Sequence, residues 1–119
     1  MKAPFIRALM TLAHADRRLM FLTGDLGFGM VEPFVAQFPD QFLNVGVAEQ
    51  NMLGIATGLA LEGSTVFTYS IGNFGTLRCL EQIRNDAAYH EVNVNVVSMG
   101  AGFSYGSLGY SHHATEDLA

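Results

Sequence analysis

The chain has 119 residues, half of them hydrophobic, with thirteen glycines, three prolines, one cysteine and no tryptophan. That is material for one ordinary globular domain with a real core. Six Lys and Arg against eleven Asp and Glu give a net charge of −5. The scattered basic residues argue against a nucleic-acid partner, and lone Cys79 excludes an intrachain disulfide framework and a four-cysteine zinc site.

Lys2 to Asp16 sets Ile6, Leu9, Met10 and Ala13 at helical spacing, with Phe5 and Leu12 widening the stripe, which predicts an amphipathic helix. Leu19 to Thr23 is an apolar run that stops at Gly24-Asp25-Leu26-Gly27-Phe28-Gly29, the pattern of a buried strand followed by a loop. Phe28 to Gln41 contains Pro33 and Pro39 and leaves a short helix between them open. Phe42 to Val47 reads as a second strand. Ala48 to Glu62 reads as a helix, through Met52, Ile55, Ala56, Leu59 and Ala60, with Gly63 placed to close it. Ser64 to Tyr69 is a third strand, Phe74 to Tyr89 a third helix (Leu77, Leu80, Ile83, Ala87), and Val92 to Met99 a fourth strand. Strands apolar on both sides and separated by helices predict a three-layer α/β/α fold with a mainly parallel sheet. Gly100 to Tyr110 is a glycine-rich loop, and His112 to Ala119 begins a polar segment. A further C-terminal element is therefore expected to be missing, the four strands leaning on a partner or on absent residues. No apolar run reaches the ~18 residues of a bilayer span, and Met1 to Arg7 lacks the layout of a secretion signal, so the chain reads as soluble and cytoplasmic, with no membrane partner.

In such a sheet, ligands bind beyond the carboxyl ends of the strands, where the Gly24–Gly29, Glu49, Ser70–Phe74 and Gly100–His113 segments converge. Each candidate there also has a plainer role. Glu49 in the first turn of a helix suits the macrodipole. Asp25 suits a turn, Phe74 a core, and His112-His113 a solvated loop. Gly54 and Gly58 inside a helix cost about 1 kcal/mol each relative to Ala, which implies a close neighbour such as a helix of another subunit. The glycine spacings match neither a dinucleotide fingerprint nor a phosphate-binding loop.

The run Asn44-Val45-Gly46-Val47-Ala48-Glu49-Gln50-Asn51-Met52-Leu53-Gly54-Ile55-Ala56-Thr57-Gly58-Leu59-Ala60 resembles the pyrimidine-binding domain of the thiamine-diphosphate-dependent transketolase family. The likeness extends through Thr23-Gly24-Asp25-Leu26-Gly27, Tyr69-Ser70 and Ser111-His112-His113 to Glu116-Asp117-Leu118-Ala119. Gly106 to His113 looks most like small transketolase-type subunits split into two polypeptides. The resemblance implies that residues 1–119 are a single pyrimidine-binding domain that contributes to two-carbon ketol transfer between sugars or sugar phosphates. It also implies that a separate diphosphate-binding subunit or domain holds the diphosphate and its Mg2+ or Ca2+, so that no metal is bound by this chain. Glu49 would hydrogen-bond N1′ of the aminopyrimidine and favour its imino tautomer. Phe74, Tyr69, Ile71 and Asp25 would line the cofactor, His112 would serve catalysis and substrate, and His113 and Arg78 would face substrate. A homo-oligomer is expected. The alternatives are a beta-type subunit of a 2-oxoacid dehydrogenase, a deoxyxylulose-phosphate synthase-like enzyme, and a non-catalytic structural subunit of the same fold.

Overall fold

The computed structural model describes residues 2–117. In chain order the elements are α1 (Lys2–Ala15), β1 (Leu19–Thr23), α2 (Glu32–Gln37), β2 (Phe42–Asn44), α3 (Glu49–Leu61), β3 (Thr65–Ile71), α4 (Leu80–Gln82) and β4 (Val94–Met99), with short 3-10 turns between several of them. All strand pairings are parallel, in the order β2-β1-β3-β4. β1 is central, with Phe21 opposite Phe42 on one side and Phe67 on the other.

Alternation along the strands sends side chains to two different cores. Phe21, Tyr69, Val97 and Met99 pack with Ile6, Leu9 and Ala13 of α1 and Phe34 of α2. Leu22, Val66, Val94 and Val96 pack with Met52, Leu53 and Ala56 of α3, and with Cys79 and Ile83. The expected three layers are present. β1 has the bounds read from the sequence, and α3 ends as expected. Gly63, at φ +93°, donates to the Ala60 carbonyl and Ser64 to that of Leu59, which satisfies two carbonyls at the helix end.

The undecided Phe28–Gln41 stretch contains α2, with Pro33 in its first turn. Glu32 caps the approach by accepting the Gly29 N–H at 2.8 Å, and that bond holds its carboxyl below the usual range. The helix stops at Phe38, which at φ −131° and ψ 57° has left the helical region that a following proline disfavours.

β3 runs past its expected end at Tyr69 to Ile71, which puts Ser70 in the strand rather than in the loop after it, and β4 starts at Val94 rather than Val92. Two further elements differ more. β2 ends at Asn44 rather than Val47, because the Asn44 side chain bonds backbone and side chain around it. Its Oδ1 accepts the N–H groups of Asp25 and Gly46, and its amide donates to the Asp25 carboxylate at 3.0 Å. The single helix expected over Phe74–Tyr89 is instead a series of short turns. These are 3-10 turns at Gly72–Phe74 and Leu77–Cys79, one α turn in α4, and a π-helix over Ile83–Ala88. Thr76 breaks the spiral at φ −115°, ψ −84°, and its hydroxyl bonds the Gly72 carbonyl, a local side-chain bond that competes with the helical ladder. Beyond β4 the chain returns over the sheet edge, where Gly102 and Ala114 exchange two backbone bonds. Leu118 and Ala119, the end of the family-like stretch, lie outside the described residues.

Candidate functional site

Glu49 is the first residue of α3 and only 3% exposed. Ala48 offers no side-chain cap, so a carboxylate in the first turn answers the positive end of the helix. Both of its oxygens have partners. The Ser70 hydroxyl donates to Oε1 at 3.4 Å, and Arg78 Nη1 lies 3.0 Å from Oε2. Gly24 at the end of β1 completes the wall, since a Cβ there would stand 3.6 Å from Oε1. Three strand-end or helix-start segments thus meet on one carboxylate.

Arg78 also reaches an aromatic ring. Its guanidinium carbon sits 4.3 Å from the centroid of Phe74, while its backbone carbonyl accepts from the Gln50 side chain at 2.9 Å. Phe74 in turn meets the His112 ring edge-on at 5.2 Å, and Ser111 Oγ lies 2.9 Å from His112 Nδ1. The structure therefore links Glu49, Arg78, Phe74 and His112 in one chain of contacts beside an open cleft of about 300 Å³. Val47, Ala48, Gln50 and Asn51 line that cleft with Glu49 and Arg78.

The loop carrying His112 is tied down from Asn73. Its amide donates to the His113 carbonyl at 2.7 Å and to Glu116 at 3.3 Å, and the second bond leads the causes that hold the Glu116 carboxyl below its ordinary range. His113 turns to Phe103, ring centroids 4.9 Å apart, and its Nε2 is buried without a hydrogen-bond partner.

Tyr69 and Asp25 are engaged away from Glu49. Tyr69, expected to line the cofactor, is packed in the core. It is 2% exposed, stacks on Phe5 at 6.0 Å and sets its hydroxyl against Met30 Sδ, and burial pushes its phenol up to about 12. The reason is strand parity: Ser70 points toward Glu49, so Tyr69 and Ile71 project from the opposite face of β3. Asp25, at φ +57°, is exposed and occupied with Asn44. Arg78, expected to face substrate, is engaged with Glu49 and Phe74. Sequence reasoning missed Ser70 as a partner of Glu49, and Gln50 and Asn73 as struts. A polar residue continuing the Val66, Thr68 face of β3 was the available signal for Ser70. Among the described residues no group of three or more His, Cys, Asp or Glu is arranged to hold a metal ion. No helix among them is long and apolar enough to cross a membrane.

A parallel 2-1-3-4 sheet covered on both faces, with a buried carboxylate and an aromatic ring at its carboxyl edge, defines an α/β ligand-binding module. More narrowly, the chain belongs to the family described as transketolase, pyrimidine binding domain, which matches residues 1–119. One of the subunits of apulose-4-phosphate transketolase from Phocaeicola vulgatus is 37% identical over 116 residues, covering 97% of this chain and 37% of that protein. Transketolase of Homo sapiens is 41% identical over 115 residues, 95% of this chain and 18% of that protein. A solved split-gene transketolase, described as an inactive beta4 tetramer, superposes with a TM-score of 0.82 at 35% identity, covering 98% of this chain and 37% of the other. The chain thus spans well under half the length of these relatives. It is the pyrimidine-binding section of a transketolase-like protein.

Proposed function

We propose that this chain is one half of a thiamine-diphosphate-dependent active site that transfers a two-carbon ketol unit between sugars or sugar phosphates. The observation that carries the reading is the Glu49 carboxylate, withdrawn from water at the start of α3 with the Phe74 ring one guanidinium away. A dry carboxylate beside an aromatic face suits a flat nitrogen heterocycle, because a hydrogen bond between a carboxylate and a ring N–H is strong where water is excluded. Glu49 would hold that proton at the ring nitrogen, Phe74 would flank the ring, and His112 would offer a hydrogen bond to a sugar hydroxyl. Bound thiamine diphosphate would supply the electron sink of the reaction.

The Phocaeicola relative is named as a subunit of its transketolase, which supports a two-polypeptide arrangement. The solved split-gene transketolase is described as an inactive beta4 tetramer, which supports association between copies of such a subunit. The outward side of α3, where Gly54 and Gly58 have nothing within 4 Å in this chain, is the surface we assign to subunit contact. The test is turnover of the reconstituted two-part enzyme. Glu49→Gln is expected to lower kcat by at least about 100-fold while cofactor affinity changes much less; unchanged turnover refutes the reading.

A further inference from the structure

The Glu49 carboxylate is not vacant. One oxygen takes the Ser70 hydroxyl and the other the Arg78 guanidinium, so an incoming ring nitrogen competes with both for the carboxylate. Ser70 is fully buried on β3 and has nowhere to go. The Arg78 side chain is 46% exposed and opens onto the cleft, while its backbone stays anchored through its carbonyl to Gln50. The two groups therefore differ in freedom, and Arg78 is the one that yields.

What Arg78 does there resembles what the ligand would do. A guanidinium is flat, cationic and edged with N–H donors. Here it lies over the Phe74 ring and presents an N–H to Glu49 Oε2, the two contacts a protonated aminopyrimidine would make with the same pair of residues. We propose that Arg78 is an internal stand-in for the aminopyrimidine ring, filling the slot between Glu49 and Phe74 until the ring displaces it. This rests on the proposed role of Glu49 and adds to it a competing side chain. The slot keeps a partner for the buried carboxylate at all times, since a carboxylate at 3% exposure without one would be costly. The apparent affinity for the ring is then reduced by the fraction of time the guanidinium occupies the slot.

The test uses the full chain and two probes, a 4-aminopyrimidine with the cofactor's ring substituents and methylguanidinium, each followed through the Phe74 ring NMR signals. Arg78→Met keeps the stem and removes the planar cation. The proposal expects the aminopyrimidine to bind this variant at least about fivefold tighter than the parent chain. Methylguanidinium should bind the variant, compete with the aminopyrimidine, and fail in the Arg78→Met, Glu49→Gln double variant. Equal or weaker aminopyrimidine binding in Arg78→Met overturns the stand-in and leaves the proposed function of Glu49 intact. Methylguanidinium binding without any aminopyrimidine binding overturns the pyrimidine role of Glu49 and, with it, the stand-in. If neither probe binds any form there is no slot and the proposal fails, while the Glu49→Gln turnover experiment still decides the function on its own.

Discussion

The two faces of the sheet are built from different materials. Under α1 and α2 the core is aromatic: Phe21 meets Phe34 at 5.2 Å, Phe5 at 6.1 Å and Tyr69 at 5.9 Å, in edge-to-face pairs. Under α3 it is aliphatic and small, with Met52, Leu53 and Ala56 fully buried and with Glu49, Thr57, Thr68 and Ser70 among them as buried polar groups. The first face spends its surface on packing. The second gives up apolar area to place a carboxylate, and its helix presents glycines outward. Stability and chemistry are thus largely sorted onto opposite sides of one four-stranded sheet.

That contrast predicts unequal responses to substitution. The largest effect is expected on the aromatic side, where Phe34→Ala removes a fully buried ring and should cost about 3–5 kcal/mol in urea unfolding of the chain. A loss near that of an exposed residue would mean the aromatic face is not the principal core.

Next in size is a pair of glycine substitutions with opposite signs. Gly27, on the aromatic side, has φ +90°, and a Cβ there would lie 2.9 Å from Val31 Cγ1, so Gly27→Ala should destabilise by about 1–3 kcal/mol. Gly54→Ala meets nothing within the chain and should stabilise it by about 0.5–1 kcal/mol through helix propensity. If the α3 face is a subunit contact, the same Gly54→Ala chain should associate less in sedimentation. Stabilisation together with unchanged association would remove that face from the assembly.

The smallest expected effect is at the loop over the carboxyl edge. Hydrogen bonds led by the Asn73 amide lower the Glu116 carboxyl below its ordinary value of 4.5, so the tether favours the ionised form. Its contribution is complete above the ordinary value and is lost as pH falls through the depressed one. Protection of the Gly102 and Ala114 amides, corrected for the intrinsic exchange rate at each pH, should therefore fall in acid, and Glu116→Gln should flatten that dependence.

Regular segments were legible in the sequence because burial and spacing agree within them. Leu19–Thr23 is apolar on both faces and bounded by glycines, and α3 carries its own closing signal at Gly63. Glu49 was legible from its surrounding motif and from its place after a strand. The helix expected over Phe74–Tyr89 was misjudged because apolar spacing cannot register the hydroxyl of Thr76 and the thiol of Cys79 bonding backbone carbonyls, to Gly72 and Phe74. Tyr69 was drawn to the site by its position near a strand end, although parity with Ser70 sends it to the other core. The Arg78 contact with Glu49 joins positions far apart in sequence, and only the folded turn at Leu77–Cys79 brings them together.

The strand order has a temporal consequence. Leu19 of β1 pairs with Thr65 of β3, so the middle of the sheet is a long-range pairing that β2 and α3 must precede in synthesis. At translation speeds of about 5–20 residues per second, β1 waits on the order of seconds with only α1, α2, β2 and α3 to cover it. A nascent chain that has not yet reached Arg78 presents Glu49 without its countercharge, and the pocket first comes into being when the turn after β3 emerges.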